Sequence, residues 1–458
     1  MTAAFPTSQE ILAAVWSALG GPATALERVQ FLSGGDLASV FAVTDLAAGA
    51  VGAAGLAAAE FSAGDAPLPA LAVDRRLSAM WFSMAARVEG WAVPSAWDAI
   101  AGDYQGADGW IRLHTNAPHH RVKAVQVLGC ADERPAVAAA VAKWRIEALE
   151  EAIVAAGGCA AAMRTEESWT VHPQGAAVGA EPLIHRESHP GSGHKRIADP
   201  GRPLKNIRIL DLTRVLAGPI ATRFLAGLGA DVLRIDPPFW DEPTLEPEVT
   251  RGKRCARLDL RVPDQKAQLI SLLRTADVIV HGYRPGALEG FGLGAQARRE
   301  INPALIDVSL DAYGWSGPWA WRRGFDSLVQ MSSGIAAAGM RQMARDKPTP
   351  LPMQALDHAQ GYMLAASVLR GLTNRAQTGG GWSSRSSLAR VAALLMTHPA
   401  DHERPGIAAE TPDDLAEGTD LTEWGMARWL KPPVTIAGVP LLWDRPSSRL
   451  GSAAAVWA

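Results

Sequence analysis

Among the side chains able to do chemistry, Asp357 has the most specific setting. It opens the stretch PMQALDHAQGYMLAASVLRG, residues 352–371. Apolar and small residues follow at helical spacing (Ala359, Met363, Ala366, Leu369), which predicts a buried helix with an acid in its first turn. Such an aspartate has two uses. It can cap free backbone N–H groups and meet the positive end of the helix dipole. The same N–H groups also keep a carboxylate ionised, as a nucleophile must be. Taken alone, capping is the commoner use. His358 beside it could orient a substrate, although a histidine so placed is more often packed or solvated. A second acid, Asp45, stands in VFAVTDLAAGAVGAAGLAAAEF, residues 40–61. Setting Asp45 over Asp357 also aligns Ala47 with Ala359, Gly49 with Gly361, Ala53 with Ala365 and Ala54 with Ala366. The shared D-x-A-x-G-x-x-x-A-A reads as an internal duplication, each copy followed by a turn and a second helix, from Ala72 and from Ser383.

The elements that must carry these acids follow from pattern. Residues 9–19 and 134–156 are predicted helical, and WIRLH (110–114) alternates as a strand does. His119 and His120 are adjacent, cannot share a helix face as metal ligands, and read as solvated. The Gly/Pro-rich RESHPGSGHKRIADPGRP (186–203) reads as a linker. Beyond it, apolar strands in NIRILDL, DVLRID, RCARLDL, DVIVHGY and ALIDVSL alternate with helical stretches, implying a parallel sheet covered on both faces. Ligands of such sheets bind outside the carboxyl ends of the strands, here Thr213–Leu216, Asp236–Pro238 and Tyr283–Gly286. Lys253, Arg254, Arg284, Arg322 and Arg323 near strand ends suit a phosphate-bearing ligand, surface solvation being the plain alternative for each. After Leu395 the pattern turns acidic and loop-like, with Pro-rich segments expected to lie across another surface.

Composition excludes several classes. The 458 residues carry a net charge of −3, too near neutral for a nucleic-acid footprint. The three cysteines, Cys130, Cys159 and Cys255, are far apart, have no zinc spacing and suit a reducing cytoplasm. The Ala-rich run Ala47–Phe61 is too short to span a bilayer, so no membrane partner is expected. No dinucleotide G-x-G-x-x-G follows the first strand, and no P-loop, HExxH or nucleophile elbow occurs. No metal is expected.

Residues 203–388 resemble the family III (CaiB/BaiF-like) CoA-transferases. The matching segments are PLKNIRILDLTRVLAGPIATRFLAGLGADVLRID, RGKRCARLDL, ADVIVHGYRPGALEGFGL, NPALIDVSLDAYGWSGPWAWRRGFDSLVQMSSG, the Asp357 helix and RAQTGGG, in the family's order. The resemblance implies an α/β fold, with a Rossmann-type CoA-binding domain and a smaller α+β second domain. It implies Asp357 as nucleophile, passing through an acyl-aspartyl anhydride and an aspartyl-CoA thioester while CoA moves to a small carboxylic acid. It carries CoA contacts onto Val215, Leu216, Lys253, Arg284 and Arg323, needs no cofactor beyond coenzyme A as substrate, and implies a homodimer. Two departures stand out. Asp236 and Pro237 replace the usual acid and base after the second strand, and Phe325 occupies the position where the family's racemases carry histidine. The small-domain segments ADGW (107–110), EESW (166–169) and EPLI (181–184) precede the CoA-binding half. The expected organisation is therefore a truncated first copy (1–190) with Asp45 as a relic, a linker (191–203), the CoA-binding domain (204–395) and a C-terminal extension (396–458). An acyl-CoA isomerase or racemase, or a non-catalytic CoA-binding paralogue, are the rival readings.

Overall fold

A computed structural model describes residues 5–191, 198–199 and 201–458. Most of the expected linker 191–203 lies outside the described residues. At the centre is a seven-stranded sheet in the order Lys253–Arg257, Asp231–Asp236, Arg208–Leu212, Val278–His281, Ile306–Asp311, Gly381–Ser387, His185–His189. The first six strands are parallel, and His185–His189, from the amino-terminal half, adds antiparallel to Gly381–Ser387.

The middle strands are apolar on both faces because helices cover both. Ile209, Val278, Val280, Ile306 and Val308 pack in the layer of helices Ala217–Gly227 and Ala355–Thr378. Leu210, Leu212 and Ile279 pack with Leu269, Leu272 and Leu273 of helix Pro263–Thr275. Helix Ala355–Thr378 runs antiparallel to the strands: Gln360 donates to Ser386 near one strand end, and Gly371 lies against Trp382 and Ile306 near the other. Its first turn, with Asp357, therefore reaches the carboxyl ends of the strands.

The Asp45 helix, Val43–Ala63, packs against helix Ala355–Thr378 on one side and helix Pro6–Ala18 on another. By length and composition it is apolar enough to cross a membrane, longer than the Ala47–Phe61 run suggested, but it is buried inside the protein. Its seating parallels that of its counterpart. A Cβ on Gly49 would lie 2.7 Å from Ile11 of Pro6–Ala18, and a Cβ on Gly361 would lie 2.6 Å from the Ala217 carbonyl and 2.9 Å from Ile220. Each Asp helix leads into a strand and then a capped helix: Leu71–Asp74 with Arg75–Trp81, and Gly381–Ser387 with Leu388–Met396. Ala72 and Ser383, expected to open helices, thus lie in strands. Asp74 and Ser387 cap the helices behind them by accepting from the Leu77 and Arg390 amides.

The expected helix 134–156 is two, Arg134–Val141 and Ile146–Ala155. These, with helix Pro118–Leu128 and the strands Gly102–Gln105, Trp110–Leu113 and Ala160–Ala162, enclose a separate small core around Ile111, Leu113, Val137, Leu149 and Ile153. The residues after Leu395 are not all loop. Gly425–Trp429 pairs with Ala86–Glu89, and Val434–Ile436 pairs with Leu71–Asp74.

Candidate active site

The acid is held from a neighbouring helix. The Asp357 N–H donates to Oδ2 of Asp326 at 2.9 Å, and Asp326 opens helix Asp326–Ser333. Asp326 has no exposed surface, and its Oδ1 accepts from Gln330 Nε2 at 2.5 Å. Gln330 in turn accepts the Leu351 amide at 2.7 Å, tying down the segment that leads to Asp357. Asp326 thus does the capping that Asp357 was expected to do for itself.

This arrangement overturns one expectation. Free N–H groups were expected to hold Asp357 ionised, but burial and the adjacent Asp326 carboxylate push its pKa well above the usual range. Burial also lifts Asp326, to about 6, against the hydrogen bonds that favour its anion. Two close, buried carboxyl groups cannot both ionise freely, so the pair holds a proton to higher pH than a free carboxylate does.

His358 is packed, not free. Its ring stacks on Phe82 at 5.2 Å, and burial lowers its pKa to about 3. Asp45 is locked in a buried network: it accepts from Ser8 Oγ at 2.5 Å and from Arg75 at 2.9 Å, with Arg404 at 3.5 Å.

The strand-end loops meet this first turn. Gly361, one turn after Asp357, presses on the Ala217 carbonyl, directly after Val215 and Leu216. A side chain at Gly361 would push the two apart. Val215 has φ +64, a left-handed conformation that a β-branched residue adopts only under constraint. Here its N–H donates to Glu242 Oε1 at 2.7 Å. Glu242 is itself anchored by Arg234, which also binds Asp236 through two nitrogens. Arg214 lies between the Trp240 and Tyr283 rings, 4.7 and 4.9 Å from their centroids. Arg284 is exposed in the loop after Val278–His281. Arg323 is also exposed and among the described residues donates to the Gly157 carbonyl, whereas Arg322 is committed to Glu150 and stacks on Trp319.

Lys253 departs from expectation. Its ammonium is buried, donating to Asp211 Oδ2 at 3.0 Å and the Pro219 carbonyl at 2.9 Å. It braces the strand–loop–helix unit beneath Val215 and does not face solvent, where a phosphate would approach. A buried lysine on strand Lys253–Arg257 needs such a partner, and Asp211 two strands away supplies it.

One wall comes from residues that sequence reasoning left aside. The turn after strand Trp110–Leu113 brings His114 parallel to Phe325 at 3.7 Å, with His120 edge-on to the same ring. His120 is buried against Cys159 Sγ at 3.6 Å rather than solvated. His119 is exposed, and partial desolvation of its ring together with Arg323 and Arg214 lowers its pKa. The wall thus spans the space between the strand-end arginines and the Asp326–Asp357 pair. The unusual His119–His120 pair just after WIRLH was the available signal. For Asp326 it was the acid inside the GFD segment.

Residues 204–418 match the model of CoA-transferase family III. The chain is 36% identical over 196 residues to a probable fatty acyl-CoA transferase of Mycobacterium tuberculosis, covering 40% of this chain and 49% of that protein. It is 31% identical over 195 residues to a succinyl-CoA–D-citramalate CoA-transferase of Chloroflexus aurantiacus, covering 40% and 48%. A CaiB/BaiF family protein of Brucella suis, known from a crystal structure, is 25% identical with a TM-score of 0.39, covering 49% and 65%. The chain spans about half the length of the curated relatives it matches.

Proposed function

We propose that the protein transfers CoA from an acyl-CoA to a small carboxylic acid through Asp357. The carboxylate attacks the thioester carbonyl, giving an acyl-aspartyl anhydride and the CoA thiolate. The thiolate then attacks the aspartyl carbonyl, releasing the donor acid and leaving an aspartyl-CoA thioester. The acceptor carboxylate displaces CoA from that thioester, and the returning thiolate takes the acceptor acyl group and frees Asp357. Each intermediate stays activated, so shielding it from water conserves the thioester. Burial of Asp357 supports that shielding. Arg284 and Arg323, exposed near the strand ends, suit the nucleotide phosphates of CoA. The Val215–Leu216 loop would lie along its pantetheine arm.

The contact of Gly361 on Ala217 carries this reading. It sets a buried acid within a turn of the strand-end crevice, where a CoA ester bound by those arginines would direct its carbonyl. A proton must leave the Asp326–Asp357 pair before attack, which makes the first step pH-dependent. Incubation with acetyl-CoA followed by hydroxylamine should give an aspartyl hydroxamate at residue 357, found by peptide mass, and none in Asp357→Ala. A wild-type chain that exchanges CoA between acids without ever labelling position 357 would overturn the assignment.

A further inference from the structure

We infer that Arg112, His114 and Trp97 form a subsite for the far carboxylate of a dicarboxylic substrate, an inference that rests on the transfer reading above. Three buried polar atoms lack any partner among the described residues: Arg112 Nε on strand Trp110–Leu113, His114 Nδ1 just after it, and His120 Nδ1 on helix Pro118–Leu128. His114 is 7% exposed, and among the described residues its ring makes no hydrogen bond. Buried polar atoms are normally satisfied, so a cluster of three marks a place where something polar is missing. His114 and His120 lie against Phe325, the residue before Asp326, and Arg112 stacks on Trp97, whose ring meets His114 edge-on. Arg112 also lies close enough to Asp326 for its charge to act on that carboxyl.

The chemistry of the cluster selects the ligand. The Arg112 guanidinium stacks on Trp97 at 4.8 Å and gives Nη1 to Asp103 at 2.7 Å. Its remaining edge, Nε with Nη2, is the edge that grips a carboxylate through two parallel bonds. One cation, half neutralised by Asp103, matches a single negative charge better than a phosphate dianion. The imidazoles of His114 and His120 are kept neutral by burial, each with a pKa near 3. They can donate an N–H without adding charge. Trp97, 38% exposed, forms the open rim. The Phe325 ring under His114 directly precedes Asp326, whose carboxyl holds the Asp357 N–H, so the subsite would take the acyl end of the substrate rather than its nucleotide end.

The test is calorimetric titration of Asp357→Asn protein, which binds without reacting, with succinyl-CoA and glutaryl-CoA against butyryl-CoA and valeryl-CoA. The dicarboxylic esters should bind about tenfold or more tightly than their monocarboxylic counterparts, the size of one charge-assisted bond pair. Adding Arg112→Gln should abolish that preference while leaving butyryl-CoA affinity unchanged, which also shows that the variant is folded. Arg112→Lys should restore part of it. Free succinate against free butyrate, titrated into the same protein, separates an acceptor carboxylate from a donor one. Equal binding of all four esters, or an equal loss for all four in Arg112→Gln, would overturn the subsite alone. Failure of every ester to bind would overturn the transfer reading with it.

Discussion

Asp326→Asn is the sharpest perturbation of the proposed chemistry. The amide keeps an oxygen that can accept the Asp357 N–H, so the helix start stays anchored, but the neighbouring negative charge is gone. A carboxyl group bonded to a residue's own N–H lies about 6 Å from that residue's carboxylate. At an effective dielectric of about 20 the repulsion removed is about 3 kcal/mol, or about a hundredfold in the proportion of Asp357 anion where Asp326 is ionised. The sign follows from the role. Attack needs the anion, so kcat/KM rises with pH through the raised pKa of Asp357. In Asp326→Asn the ascending limb should move to lower pH, and hydroxamate yield at pH 7, where Asp326 is ionised in wild type, should rise relative to wild type. The assay is acyl-CoA turnover against pH, with thermal unfolding as a folding control. A limb that stays put, or moves to higher pH in a folded variant, would refute the carboxyl-pair reasoning.

Other outcomes follow from the same contacts. Arg284→Ala, at an exposed arginine, should raise KM for acyl-CoA about tenfold and leave the melting temperature unchanged. Lys253→Ala should instead destabilise by about 3–5 kcal/mol in denaturant unfolding, because it strands the buried Asp211 carboxylate. Gly361→Ala, whose Cβ would lie 2.6 Å from the Ala217 carbonyl, should cost about 1–3 kcal/mol. Gly179→Ala, where a Cβ meets nothing within 4 Å, should be neutral or slightly stabilising by the same measurement. Burial lifts Asp311 to about 8, with Glu181 adding to the rise. Its contribution to stability is therefore complete below about pH 4 and is lost, at about 1.4 kcal/mol per pH unit, as pH climbs toward 8. Asp311→Asn should raise the melting temperature more at pH 8 than at pH 5; an equal gain at both would contradict this assignment.

Local pattern carried much of the fold. The apolar strands from Ile207 to Leu310, the buried helix starting near Asp357, and the loops at Val215–Leu216 and Arg284 were legible because strand and helix periods are properties of a few neighbouring residues. Gly49 and Gly361, at like positions of the repeated D-x-A-x-G-x-x-x-A-A, each sit close against a neighbouring helix. Other features depended on partners far along the chain. Lys253 looked like a phosphate ligand until Asp211, 42 residues away, claimed its ammonium. His120 looked solvated until Cys159 packed against it. Asp357 looked self-capped and ionised until Asp326, 31 residues earlier, took its N–H and raised its pKa. The sequence by itself determined which residue types were available and which elements would bear them. Burial and charge pairing were decided only when the halves packed together, because both depend on what the tertiary fold places within a few ångströms.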